Sequence, residues 1–355
     1  MNSSSNANSA APAAKKARAT KPARGKAPTD RRTGSRRLAE EHGLVVGVDI
    51  GGSNLRVALA DIQGKVLEKW STSTRATSSP DMVIAQIVQG IDSLLRQSSS
   101  SRCALLSVGA GAPGVTDAKA GVVLATSYLK GWRGVPFQHL LESALGVPAA
   151  VENDVRLAAL GEHSMGAARG VDDFVFLAIG TGIAAGIFAN GKLIRGINCT
   201  AGEIGYMYVP GATEEPTKSG APGSLEGMIG GDNIRLQWSK ACNADTRLHN
   251  LTATEIFARA SAGDPMAKSV LDRSAQLLAY AVYNISLVLN SSLFVLGGGI
   301  GVSMPLRDAT ERVLEQHNEP SRPRLVISSL GTDAQLNGAI RLALITAKTH
   351  SKRRV

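Results

Sequence analysis

Two stretches of this chain follow the same plan, and that doubling constrains its fold more than any other feature. Residues 44–61, LVVGVDIGGSNLRVALAD, join a mostly apolar run, Leu44 to Ile50, to a second, Leu55 to Ala60, through Gly51 and Gly52. Further on, Phe174 to Ile179 leads through Gly180-Thr181-Gly182 into Ile183 to Ala189, then Asn190-Gly191 and Leu193-Ile194. Short apolar runs joined through glycines read as β-hairpins, and Asn-Gly is a strong signal for a two-residue turn. With Lys65 to Thr72 as a third strand of the first group, strand–glycine turn–strand–turn–strand occurs twice. This is an internal repeat at coarse scale, not a short-period solenoid.

Between and after these groups, strands alternate with helices. Pro80-Asp81 opens an amphipathic helix, Cys103 to Val108 is a strand leading into Gly109 to Gly114, and Val122 to Ala125 is another strand. Phe137 to Leu145 is a short helix, and Ala149 to Val151 a brief strand ending in Glu152-Asn153-Asp154, with a helix from Val155 to Met165. Thr252 and Glu255 have capping-box spacing. The longest helix runs from about Pro265 to Asn290, with apolar residues at helical spacing. Leu293 to Leu296 and Arg324 to Ser328 are strands, and Thr332 or Asp333 caps a last helix through Ala347.

Charge is unevenly spread. Residues 1–43 hold ten Lys/Arg against three acids, +7 of the total of +10. The basic balance therefore belongs to a tail nearly devoid of large apolar side chains, which cannot offset its ordering entropy and is expected to be disordered. A solubilising extension, a weak salt-sensitive contact with nucleic acid and a transit peptide are its open readings. Cys103, Cys199 and Cys242 are too few and too far apart for a disulfide framework or a CxxC metal pattern. A reducing compartment, the cytoplasm, is the expectation. The longest apolar stretch, Ala279 to Leu296, is broken by Asn284, Asn290, Ser291 and Ser292, so no membrane span is expected.

The first glycine turn has its own chemistry. Gly51 and Gly52 lack a Cβ, so the turn can be tight and its amides can approach a ligand. With Ser53 and Asn54 beside them, those amides suit phosphate oxygens. Asp49 at the mouth suits Mg²⁺, through water. The plain alternative is an ordinary hairpin.

Taken together, Asp49-Ile-Gly-Gly-Ser-Asn54, Gly111-Ala-Pro-Gly114, Glu152-Asn-Asp154, Gly180-Thr-Gly182, Ala201-Gly-Glu-Ile-Gly205 and Leu296-Gly-Gly-Gly299 stand in this order. The chain thereby resembles the ROK family of bacterial sugar kinases and sugar-responsive repressors over roughly residues 44–347. The resemblance implies an α/β, two-domain actin/hexokinase-type ATPase fold (ribonuclease H-like) with an interdomain cleft. One lobe would comprise 44–154 plus about 333–350, the other 155–332.

By the same resemblance Asp154 is the catalytic base, and Asn153, Glu203 and Glu226 bind the sugar. Gly51, Gly52, Gly180, Thr181 and Gly182 form the phosphate-facing turns, Asp49 contacts Mg²⁺, and Gly298 and Gly299 let adenosine approach the backbone. For Asp154 the competing reading is a helix N-cap, and for each glycine a turn needing positive φ. For Glu203 and Glu226 it is a solvated loop acid.

Two departures stand out. Family kinases follow the AGEIG stretch with a His and supply three cysteines that together bind zinc. Here those positions hold Tyr206, Thr217, Ser219 and Ser224. Hydroxyls do not replace thiolates in a tetrahedral zinc site, so no structural zinc is expected. Tyr206 either donates to the sugar or fills space as a packed aromatic. Tyr128 stands where many members have an Asn that helps bind sugar. The implied activity is ATP-dependent, Mg²⁺-requiring phosphorylation of a hexose, with glucose the family default, by a homodimer. The alternatives are a sugar-sensing regulator with little catalysis, another hexose or amino sugar as acceptor, and polyphosphate as donor.

Overall fold

The computed structural model of the protein describes residues 43–75, 79–210, 224–242, 250–316 and 322–353. The basic segment before Gly43 and residues 211–223, with Thr217 and Ser219, lie outside these. In chain order the first half runs β1 (Leu44–Ile50), β2 (Asn54–Asp61), β3 (Val66–Ser73), α1 (Pro80–Gln97), β4 (Leu105–Ala112), β5 (Val115–Asp117), β6 (Val122–Ala125), α2 (Phe137–Leu145), β7 (Ala149–Asn153) and α3 (Asp154–Met165). The second half runs β8 (Phe174–Ile179), β9 (Ile183–Ala189), β10 (Lys192–Ile194), α4 (Leu225–Ile229), α5 (Gly231–Cys242), α6 (Ala253–Ser261), α7 (Pro265–Leu289), β11 (Leu293–Gly297), α8 (Gly298–Gly301), α9 (Met304–Leu314), β12 (Arg324–Ile327) and α10 (Ala334–Arg353).

The repeat read in the sequence is a repeat of sheets. One five-stranded sheet has the order β3-β2-β1-β4-β7 and the other β10-β9-β8-β11-β12. In each, the hairpin strands are antiparallel and the inner strand pairs in parallel with the next strand of the half. The central strand β1 is buried at all seven positions, as a strand covered on both faces must be. Asn190 and Gly191 turn between β9 and β10 with φ of 52° and 67°, the left-handed pair that a type I′ hairpin requires.

Among the described residues, four apolar clusters fill the layers. The first sheet packs α1 and α2 on one face through Ile87, Ile91, Phe137 and Leu141. Its other face takes α10 through Leu336, Ile340 and Ala343. The second sheet packs α3 through Ala158 and Ala159 against Phe174 and Phe176. Its far face takes α5, α6, α7 and α9. Helix α7 begins where Asp264 accepts from the amides of Met266 and Ala267 at 3.0 and 3.1 Å, with Pro265 in its first turn, and it ends at Asn290 in the left-handed region. The Thr252–Glu255 capping box is formed at α6.

Helices α3 and α10 lie between the sheets and touch backbone to backbone. A Cβ at Gly338 would collide with the Leu157 carbonyl, and one at Gly161 with that of Ala334. Gly109 gives the same room to Ala339 on the sheet side of α10. At the far end of α3, the buried Glu162 accepts from the amides of Ala167 (2.6 Å) and Leu330 (3.2 Å) and from the Ser328 hydroxyl. That ties α3 to the segment that returns the chain to α10.

Four expectations change. The strand expected to stop at Val108 runs on to Ala112, because Gly109 and Gly111 serve close packing rather than a turn. β7 continues to Asn153, and helix α3 starts at Asp154 rather than Val155. α10 opens from a tight turn, Gly331–Asp333, and runs to Arg353. There the Asp333 carboxylate pairs with Lys69 at 2.6 Å instead of capping. Helices α4, α5 and α9 had no sequence signal strong enough to be anticipated. Among the described residues, no helix is long and apolar enough to cross a membrane.

Candidate active site

The site is assembled where the two hairpin turns and the β7–α3 junction come together. β7 is parallel to β4, with Asn153 opposite Ala112 at the carboxyl ends of the strands, the end at which open α/β sheets present their ligands. Asn153, not Asp154, is the N-cap of α3. Its Oδ1 accepts from Arg156 N at 3.0 Å, and its Nδ2 donates to the Gly114 carbonyl at 2.9 Å. The capping reading of Asp154 therefore passes to its neighbour.

Asp154 occupies the first helical position, half-buried, with Oδ1 accepting from the amide of Val155 at 2.9 Å. Its pKa is pushed up to about 7. Burial is the main cause, followed by the nearby Asp49 carboxylate; the Val155 amide opposes them, and Glu203 adds to the rise.

Asp49 is buried on β1, opposite Arg56 on β2 in the antiparallel register. Arg56 Nε and Nη2 both donate to Asp49 Oδ2, at 2.9 and 2.6 Å. The same guanidinium donates to the Thr332 carbonyl. Burial still wins over the arginine, and the Asp49 pKa is raised. Two carboxylates thus lie close together, and Arg56 is paired with Asp49.

The glycines divide by cause. Gly51 N donates to Asn54 O at 2.8 Å, closing the first turn, while Ser53 and Asn54 are exposed beside it. Gly180 N donates to Gly182 O at 2.9 Å, closing the second, and Thr181 is exposed. A Cβ at Gly180 or Gly299 would meet nothing within 4 Å, so the space in front of both is open. Gly182 is needed differently: a Cβ there would strike the Glu226 carboxylate. Of the six cofactor-site glycines named from the sequence, only Gly298 has a positive φ, 80°, and it packs onto the Ile179 backbone. The reading of these glycines as positive-φ turns thus holds at one of them.

Glu226 lies on α4, which Ser224 caps by accepting from Gly227 N at 3.3 Å. Its Oε2 accepts from Ile183 N at 3.4 Å, and Gly205 also leaves room for it. Glu203 is raised in pKa by burial, drawn down by Arg156 and raised again by Glu226, so the three groups are neighbours. Tyr206 follows on the same short turn and is about half exposed.

Arg56, Arg156 and Arg195 were not singled out from sequence, whereas Tyr128 was, as a departure at a sugar-binding position. Tyr128 lies over Gly52, its ring 3.5 Å from where a Cβ would stand. Its pKa is raised by burial, then by Glu226, Asp154 and Glu203, which puts its phenol among all three carboxylates. Arg156 and Glu152 are buried together, and Arg195 closes on the second Glu152 oxygen at 2.6 Å. Arg56 was legible in principle, since a two-glycine hairpin pairs it with Asp49. Arg156 had no signal beyond its place two residues after Asp154.

Known proteins resemble this chain in sequence and fold. The sequence profile of the ROK family matches residues 45–345. A glucokinase of Halalkalibacterium halodurans is 31% identical over 309 residues, covering 82% of this chain and 92% of that protein. A ROK hexokinase structure from Thermus thermophilus superposes with a TM-score of 0.72 at 27% identity, over 86% of this chain and 99% of that one. A ROK family glucokinase structure from Streptomyces griseus, in complex with glucose and AMPPNP, gives 0.72 at 26% identity, over 85% and 99%.

Proposed function

The chain belongs to the ROK family, and from that membership and the cleft just described we propose an ATP-dependent hexose kinase acting on the 6-hydroxyl, with glucose the first acceptor to test. The observation that carries the reading is Asp154: a carboxylate just beyond the carboxyl end of β7, with its pKa pushed up to about 7 and the Asp49 and Glu203 carboxylates near it. A general base is most effective when its pKa lies near the working pH.

In this reading Asp154 takes the proton from the sugar hydroxyl as it attacks. Glu203 and Glu226 accept from sugar hydroxyls, the Asn153 amide adds to them, and Tyr206 closes the rim. The Gly51-Gly52 turn, with Ser53 and Asn54, and the Gly180-Thr181-Gly182 turn hold the phosphates. The open face at Gly299, beside Gly298, admits the adenosine. Asp49 fits a metal bound through water, since Arg56 occupies only one of its oxygens. Mg²⁺ bound there with the nucleotide would neutralise phosphate charge. The division into a lobe of 44–154 with about 333–350 and a lobe of 155–332 is supported by α10 lying on the first sheet. A dimer, a cytoplasmic location and weak nucleic-acid contact by the basic tail belong to the same reading.

No structural zinc is part of it. Ser224 serves as a helix cap, a role that asks for no metal. Elemental analysis of dialysed protein is expected to find well under one zinc per chain, and a stoichiometric content would refute this point.

A coupled assay over a panel of hexoses and amino sugars, with ATP and polyphosphate as donors, tests the whole. Turnover of glucose with ATP at the highest kcat/KM is expected. No turnover with any pair, together with sequence-specific DNA binding at physiological salt, would replace the kinase with a regulator. The pH dependence is a separate test. Asp154 acts only when deprotonated, so kcat/KM for the sugar is expected to climb with unit slope on the acid side and level off above pH about 7. A profile flat from pH 5 to 8 would remove Asp154 as the base.

A further inference from the structure

Arg156 is 2% exposed and sits two residues from the proposed base. Its hydrogen bonds go elsewhere. Nη1 donates to Glu152 Oε1 at 3.3 Å, and Nη2 donates to the carbonyls of Cys199 at 2.6 Å and Ala201 at 3.2 Å. Those carbonyls belong to the loop that ends at Glu203. The loop itself is contorted: Gly196, Cys199 and Gly202 all have positive φ, with Cys199 at 59°. Its start is pinned as well, by Arg195 Nε on Glu152 Oε2 at 2.6 Å. Glu152 completes the set by accepting from Asn153 N at 3.0 Å. A strained loop of this kind keeps its shape only where its surroundings over-determine it.

We infer that Arg156 is a positioning residue for the sugar site: rooted in the helix that Asp154 begins, it fixes the 195–203 loop and so holds Glu203 in register with Asp154. The inference rests on the kinase reading for its consequence, but the clamp itself is a property of the free protein. Planar Arg suits the task, because one guanidinium can serve a carboxylate and two carbonyls at fixed angles. A Lys ammonium in the same place keeps the charge next to Glu152 but cannot reproduce that fork.

The test is Arg156→Met and Arg156→Lys in the full chain, read by steady-state kinetics and by amide hydrogen exchange of residues 199–203 without ligands. Arg156→Met is expected to raise the sugar KM about tenfold, with kcat within about threefold and the ATP KM unchanged, the pattern of lost uniform binding. Exchange in the loop is expected to quicken about tenfold. Arg156→Lys should fall between this variant and wild type on both readouts. Glu152 keeps Arg195 in either variant. Should Arg156→Met fail to fold, Arg156→Lys decides: a raised sugar KM with faster loop exchange supports the clamp. Wild-type exchange in a folded Arg156→Met or Arg156→Lys protein overturns it. So does a fall in kcat with the sugar KM unmoved. Because exchange is read without sugar or nucleotide, it judges the clamp even where the wild-type protein phosphorylates nothing, the result that removes the kinase reading.

Discussion

Asp154→Asn is expected to lower kcat for sugar phosphorylation by about 10²–10⁴-fold, the usual worth of a positioned general base. The amide keeps the shape of the carboxylate and leaves the Asn153 cap in place, so circular dichroism should not change. A turnover within a few fold of wild type would end the assignment. Stability should move the other way. The Asp154 carboxyl has a pKa of about 7 in the folded protein against 3.8 ordinarily, so folding takes up a proton between these values. The stabilisation carried by the protonated form is complete below pH about 4 and is lost as pH rises through about 7. Asp154→Asn should therefore be more stable than wild type at pH 8, and the gap should close below pH 4. Denaturant unfolding at the two pH values reads this directly.

Gly338→Ala is expected to destabilise the protein by about 3 kcal/mol. The sign is the informative part. In an ordinary helix interior this change gains up to about 1 kcal/mol, because Ala is the better helix former. Here the added methyl would overlap the Leu157 carbonyl, a backbone atom that no rotamer change can move. At roughly 2–4 °C per kcal/mol for a chain of this size, the melting temperature should drop by about 10 °C. An unchanged or higher melting temperature would mean that α3 and α10 do not cross in contact.

The fold was legible because its signals are local and doubled. Each half announces itself by an apolar strand, a glycine turn and a second strand, and each half builds its sheet from that hairpin. What escaped was whatever depends on a distant neighbour. Gly109 and Gly111 look like turn residues in one dimension, and only α10 and Leu157 explain them as strand residues. Asn153 and Asp154 both suit a cap by composition. The hydrogen bonds to Arg156 N and Gly114 O decide between them. Glu226 could be named only through the family motif, because its nearest partners, Gly182 and Ile183, lie more than 40 residues upstream. Arg156 and Arg195 were invisible, since nothing near them in the chain shows that Glu152 is buried.

The crossing of α3 and α10 bears on how Asp154 can move. Backbone approach at Leu157, Gly161, Ala334 and Gly338 brings the two helix axes close together, and a small turn of one about the other needs no separation, as at a pivot. Asp154 stands one to two helical turns away, on a lever arm of roughly 5–10 Å. A swivel of about 10° would carry its carboxylate roughly 1–2 Å, the scale on which reacting atoms pass into or out of line.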